Sequence, residues 1–262
     1  MAPSVLSNRL MLAAGIATPL AAPFLWPLSP AVALGAMAIS HAPLLYGTLR
    51  ANAGLFGPVA TRFAPAGKEI WLTIDDGPHR EDTPRLLDLL DAAAARATFF
   101  VRGDRARDHP GLISEIRNRG HQLGNHSLNH PQATFWCITP QRATVEIAGC
   151  NEILRNLTGE QPRLFRAPVG MANPFVHQAA AQLGLRMVGW SARGYDGVAG
   201  AEPKDVVRRI GKNLDPGAIV LLHEGRAGRN GEAVNVQGLE LLLDEIRQRD
   251  LRCVIPSNGQ LR

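Results

Sequence analysis

The sequence predicts an α/β chain: one domain of repeated β/α units, barrel-like in its closure, preceded by an apolar helical segment. Three observations carry this reading. From residue 69 onward, short apolar runs alternate with longer stretches of helical period. Residues 10–49 hold no Asp, Glu, Lys or Arg. Polar residues able to do chemistry recur just after the predicted strands, and a β/α barrel gathers those strand ends at one mouth. With 262 residues, 45% of them hydrophobic and 19% charged, the chain is large and apolar enough for a substantial core, which excludes disorder as its main state.

The apolar stretch comes first. Pro19, Pro23, Pro27 and Pro30 punctuate it, and the run at 26–30 divides it into segments 10–26 and 31–49. Each is close to the roughly 20 residues that cross a bilayer. Residues 1–49 therefore read as a membrane-associated segment, a two-helix hairpin. Arg9 ahead of the apolar run and the Ala31, Val32, Ala33 triplet also fit a secretory signal or a single anchor, and a buried helical extension is a third reading. Basic flanks at Arg9 and at Arg50, Arg62 and Lys68 would keep both ends of a hairpin, and the domain after it, in the cytoplasm. A cleaved signal or single anchor would place the domain in the periplasm or outside the cell.

Residues 50–68, rich in Ala, Gly and Pro, read as a linker, and 69–262 as the folded domain. Strands are predicted at 70–74, 97–101, 121–124, 164–166, 187–190, 218–222 and 252–255, with helices between them at 83–95, 110–119, 141–157, 174–183, 203–213 and 236–249. Gly120 and Gly184 follow helical stretches directly and act as stop signals.

The net charge of +5 and the pI near 9.6 invite a nucleic-acid partner, but the charge distribution argues against one. Four basic residues precede the first acidic residue, Glu69, leaving 24 Lys and Arg against 23 Asp and Glu in 69–262. The domain is nearly neutral, its charges interspersed, and no nucleic acid is expected. Cys137, Cys150 and Cys253 are odd in number and widely spaced, which fits core thiols and no metal pattern.

Four motifs carry chemistry. Thr73, Asp75, Asp76, Gly77 and Pro78 place two carboxylates at a strand end before a turn, where their side chains should diverge so that one binds a metal and the other faces the site. Alone, this is compatible with a solvated Asp-Gly turn. His126 and His130 are spaced by four, which puts both on one side of a helical turn; with one Asp they would make a three-ligand site with an open position for water, as catalytic zinc needs, although surface histidines show the same spacing. Arg166, before Pro168 and Gly170, offers a guanidinium at another strand end, and taken singly it fits an ordinary salt bridge. His223 follows the sixth strand.

Together these motifs resemble the polysaccharide deacetylase family, carbohydrate esterase family 4 or NodB-homology domain, over residues 69–256. The resemblance implies a distorted (β/α)7 barrel. It implies Asp75 as base and Asp76, His126 and His130 as ligands of one divalent metal ion, with Zn2+ the first choice and Co2+ or Ni2+ alternatives. It implies that Arg166 orients and tunes the base, that the Val169 N–H holds the oxyanion, that Leu221 forms an acetyl-methyl pocket and that His223 is the general acid. The family's acidic pair with a following aromatic is degenerate here. Only Asp196 remains to hold His223 protonated, Gly197 stands where the aromatic is expected, and Trp190 or Tyr195 supplies a sugar-stacking face unless both serve core packing.

The implied activity is metal-dependent removal of an N-acetyl or other N-acyl group from an amino sugar of a glycan. O-acetyl esterase or deformylase chemistry, or a silent glycan-binding module, are the alternatives on this fold. Trp71, Trp136 and Trp190 are the domain's tryptophans, so no extended aromatic track is evident, and a short or lipid-linked glycan fits better, with residues 10–49 at the membrane. Phe135 and Trp136 either contact an apolar part of the substrate or pack internally, and a loop at 224–235 carries Arg226 and Arg229, able to meet a phosphate or simply mobile.

Overall fold

The computed structural model describes residues 5–225 and 234–261. Two helices come first, α1 (Val5–Leu25) and α2 (Pro30–Leu49), joined at the proline-rich run that divides the apolar stretch. Ser29 caps α2, its side chain accepting from the Val32 N–H at 3.4 Å with Pro30 in the first turn. The helices touch closely: the Thr18 and Ser40 hydroxyls are 2.6 Å apart, and a side chain at Gly15 would collide with Leu44. α2 is long and apolar enough to cross a membrane, whereas the apolar part of α1 is the shorter stretch Ala13–Leu25. Large apolar side chains on the pair, such as Leu20, Phe24, Leu28 and Ile39, face outward.

Residues 50–68, with the composition of a linker, run along the domain. Ala60 bridges Val188, Arg62 bridges Ala218 and Phe63 bridges Leu261, and Ala60 and Phe63 are buried. Arg62 and Lys68 pair with Asp215 and Asp250 of the domain.

The strands are β1 (Glu69–Asp75), β2 (Ala97–Val101), β3 (Gln122–Asn125), β4 (Leu164–Phe165), β5 (Arg186–Met187), β6 (Ala192–Arg193), β7 (Ile219–His223) and β8 (Arg252–Cys253). They form a parallel sheet of order β5-β4-β3-β2-β1-β7-β6, with β8 beside β1. β5 and β6 are two ends of one bent segment, 186–193, which pairs with β4 at its start and with β7 at its end. The sheet thereby closes on itself through that segment. The strand expected at 187–190 is corrected accordingly: at the bend the Gly189 N–H donates to Ala60 O at 2.8 Å, and the ladders cover 186–187 and 192–193, so of the expected span only Met187 lies in one.

The helices α3 (Asp82–Ala92), α4 (Gly103–Asp108), α5 (Pro110–Asn118), α6 (Pro140–Thr158), α7 (Pro174–Gln182), α8 (Pro203–Gly211) and α9 (Val234–Gln248) connect the strands. Four of them, α5 to α8, open on proline, whose missing N–H costs nothing in a first turn. Asn173 caps α7 by accepting from the Phe175 and Val176 N–H groups at 3.0 and 3.1 Å. Gly120 and Gly184 do adopt positive φ just past their helices. The six-residue α4 is too short to leave a period in the sequence.

Alternation along the strands sorts the core. Ile70, Leu72 and Ile74 of β1, Phe99 of β2, and Val220 and Leu222 of β7 pack outward with Leu86, Leu90 and Leu239 of the helices. Trp71, Phe100 and Ile219 belong to the inner cluster, with Phe63 and Leu261. Register then stacks the inner positions of β1 and β7 in levels, Trp71 beside Ile219, Thr73 beside Leu221, and Asp75 beside His223. The barrel interior thus runs from apolar to hydroxyl to charged toward the carboxyl ends of its strands. Of the cysteines, Cys150 is a core thiol, but Cys137 is exposed, correcting the expectation for that residue.

Candidate active site

A cavity of about 300 Å3 opens at the strand ends, lined among others by Asp75, Asp76, His126, His130, Val169, Trp190, Tyr195, Asp196, Leu221 and His223. Asp75 ends β1 in extended geometry, and Asp76 turns to φ 72°. The two carboxylates do not diverge as expected. That turn brings them together, with Asp75 Oδ2 and Asp76 Oδ1 lying 3.7 and 3.6 Å from His126 Nε2. The Arg105 guanidinium donates to Asp76 O at 2.7 Å and fixes the turn. Gly77 is required next, because a Cβ there would collide with the Glu224 carboxyl.

His126 and His130 lie on no helix, which corrects the second expectation. Ser127 and His130 take φ values of 68° and 51°, so the segment folds as a compact loop after β3. Polar groups hold it: Asn125 Oδ1 accepts from the Ser127 N–H at 2.7 Å, Ser127 Oγ from the His130 N–H at 3.0 Å, and Glu146 of α6 from the Asn129 N–H at 2.9 Å. The ring centroids end 4.8 Å apart.

Asp76, His126 and His130 offer one donor atom each within 4.8 Å of one another, and among the described residues no other such group converges. The set fits a divalent transition metal: one carboxylate and two imidazoles, all buried. His126 Nδ1–H donates to Arg166 O at 2.8 Å, which fixes the tautomer and turns Nε2 toward the carboxylates. Burial pulls both imidazoles down to about 4, so each keeps a lone pair to donate near neutral pH.

Arg166 is fully engaged. Its guanidinium donates to Asp75 Oδ1 at 2.7 Å, Thr73 Oγ1 at 2.8 Å, Gly189 O at 2.8 Å and Val188 O at 3.2 Å, and stacks 4.3 Å over the Phe100 ring. Burial raises the Asp75 carboxyl above its usual range, against the pull of Arg166 and His223, and a raised value suits a base. Across the cavity, Asp196 Oδ1 pairs with His223 Nδ1 at 2.9 Å and its Oδ2 accepts from the His223 N–H at 2.7 Å. Burial alone would lower the imidazole, but Asp196, with Asp75 and Asp76, outweighs it and lifts His223 to about 9.

Val169 sits at φ 51° between Pro168 and Gly170, and its N–H donates to no group among the described residues. Leu221 is buried in the cavity wall, Tyr195 is 47% exposed, and Trp190 is 7% exposed, packed against the backbone of Gly170, where a Cβ would strike its ring. Phe135 is wholly buried and Trp136 exposed, while Arg226 and Arg229 lie outside the described residues.

Three residues near the site had no motif to announce them. Asn52 donates from its N–H to Gly170 O at 3.3 Å and from Nδ2 to Trp190 O at 2.9 Å, tying the end of the apolar hairpin to the cavity wall. Glu224 accepts from the Thr83 hydroxyl and the His79 N–H; burial raises it to about 8. Arg193 lines the cavity beside Tyr195. Only the place of Glu224, directly after His223, was a signal in the sequence.

The sequence model described as polysaccharide deacetylase matches residues 64–188. Over 192 residues the chain is 34% identical to a peptidoglycan-N-acetylglucosamine deacetylase of Bacillus cereus, a match covering 72% of this chain and 87% of that one. The chain belongs to the polysaccharide deacetylase family. It is also 32% identical over 167 residues to a chitooligosaccharide deacetylase of Azorhizobium caulinodans, covering 63% and 78% of the two chains. Among solved structures it is similar to a family 4 carbohydrate esterase from Streptomyces lividans in complex with acetate, with a TM-score of 0.66 at 26% identity over 75% of this chain and 97% of that one. The curled parallel barrel described above is the polysaccharide deacetylase fold.

Proposed function

We propose that this polysaccharide deacetylase homologue is a metal-dependent N-deacetylase that removes the acetyl group from an amino sugar of a glycan. The convergence on one cavity of the Asp76, His126 and His130 donors with the Asp75–Arg166 and Asp196–His223 pairs carries the reading. A divalent ion held by the three donors supplies positive charge that polarises an amide carbonyl and acidifies water. Asp75, kept in place by Arg166, accepts the proton of the attacking water. The Val169 N–H donates to the oxygen on which negative charge develops, and Leu221 bounds the space for the acetyl methyl group. His223, held protonated by Asp196, gives its proton to the departing amine nitrogen. A binding-only module would need neither pair, and nothing in the cavity favours an ester over an amide.

The substrate we favour is short and lipid-linked, presented at a membrane by the hairpin. Support comes from Asn52, three residues past the end of α2 and hydrogen-bonded to two segments of the cavity wall, so the cavity adjoins the emerging apolar helix. Arg9 and Arg50 at the flanks favour a cytoplasmic domain, while Arg62 and Lys68 are already paired with domain carboxylates. The test is acetate release from free, polymeric and lipid-linked N-acetylated amino sugars by the full chain, together with a compartment-sensitive reporter at the C-terminus. Release from the lipid-linked member first supports the reading; release from none of them refutes it. An external reporter refutes the sidedness alone.

A further inference from the structure

Arg193 is the cavity cation that the deacetylation chemistry leaves unused. It lies on β6 in register with Leu221, and its side chain lines the cavity. The guanidinium stacks 4.2 Å over the Tyr195 ring and 5.6 Å from the Trp190 ring, and Nη2 donates to the Tyr195 hydroxyl at 2.9 Å. Among the described residues it has no carboxylate partner.

The carboxylates of the cavity are all committed elsewhere. Asp75 is held by Arg166 at 2.7 Å, Asp196 by His223 at 2.9 Å, and Asp76 faces the His130 and His126 imidazoles at 3.3 and 3.6 Å. The neighbouring wall is open, because Gly197 carries no side chain and a Cβ there would meet nothing closer than the His223 ring at 3.7 Å. A planar guanidinium stacked on aromatic rings, with most of its N–H donors unspent, matches the two oxygens of a carboxylate or phosphate.

We propose that Arg193 recognises an anionic group of the substrate, a carboxylate or a phosphate carried on or next to the N-acetylated sugar. The inference rests on the deacetylase reading for the identity of that sugar. It makes Arg193 a specificity residue, since recognition of a charged group sets which amino sugar is held and leaves bond cleavage to other side chains.

Binding of N-acetylglucosamine, N-acetylmuramic acid and N-acetylglucosamine 1-phosphate to the metal-loaded full chain tests this by ligand-observed NMR. At least one anionic probe is expected to bind about tenfold more tightly than the neutral one. A lead for the muramic acid assigns a carboxylate, and a lead for the sugar phosphate assigns a phosphate. Arg193→Gln and Arg193→Ala, each checked for an unchanged melting transition, are expected to bring the ratio of anionic to neutral affinity close to one, with Arg193→Lys in between. Equal binding of all three probes by the unaltered chain overturns the proposal, as does a ratio that survives in Arg193→Gln. Acetate release from a panel of neutral and anionic N-acetylated amino sugars reports the deacetylase reading separately: release without anion preference in binding sinks only the Arg193 inference, and anion preference in binding without release from any of them sinks only the deacetylase reading.

Discussion

Asp75 and His223 stand side by side in register at the carboxyl ends of β1 and β7, each clamped by a partner of opposite charge, Arg166 for the one and Asp196 for the other. Parallel pairing of two central strands therefore sets the spacing between the proposed base and the proposed acid, and each clamp acts on the protonation of its partner. Two titrating groups in opposed environments, facing one cavity, are the arrangement that lets one site take a proton and give another at the same pH.

The Asp196 clamp predicts a pH effect of known sign. His223 rises to about 9, above the ordinary histidine value of 6.5, so the ion pair is intact below about 6.5 and is lost as pH climbs through about 9. Turnover should decline on that alkaline side. Asp196→Asn removes the charge that lifts the imidazole, and the alkaline limb of the kcat/KM profile should move to lower pH. An alkaline limb that stays put in this variant would remove His223 from the acid role.

Removing the proposed metal ligands should separate them from the proposed proton-transfer groups. Asp76→Ala, His126→Ala and His130→Ala are each expected to retain less zinc after dialysis than the unaltered chain, measured by elemental analysis. His223→Ala should keep its metal. Wild-type retention in all three ligand variants would show that the ion is held elsewhere.

Inside the barrel, below the charged level, the buried Trp71 Nε1–H donates to Thr98 Oγ1 at 2.8 Å, and that hydroxyl donates to Gln122 Oε1 at 2.9 Å. Thr98→Val leaves both partners without the hydroxyl and should cost about 1–3 kcal/mol in urea unfolding. Adding Trp71→Phe should cost less than the two single changes summed, because the indole donor is then gone too. Strict additivity would mean that the bond contributes nothing.

Much of this was legible in the sequence for physical reasons. The long central strands β1, β2 and β7 are mostly apolar, and motif residues sit at the ends of β1 and β7, so the fold and the candidate site both left a signal. The strand expected at 187–190 misses the bend of segment 186–193, because a two-residue ladder on either side of Gly189 has no period of its own. The helical placement of His126 and His130 failed because spacing by four says nothing about the left-handed turns at Ser127 and His130, which depend on Asn125 and Glu146. The divergence expected of Asp75 and Asp76 failed in the same way, through the positive φ of Asp76. Asn52 was invisible because its partner is the distant backbone of Trp190, a contact that only the closed barrel creates, and Arg193 because only the fold places its side chain in the cavity.

The most direct test of the whole account is quantification of acetate and free amine from an N-acetylated amino-sugar substrate, comparing the metal-loaded full chain with Asp75→Asn. The account predicts acetate and amine in equal amounts from the unaltered chain, and a loss on the order of 10²-fold or more in Asp75→Asn at unchanged metal content. Equal release by the two proteins would contradict the assignment of Asp75 as the base, and no release from any N-acetylated sugar by the unaltered chain would contradict the proposed activity itself.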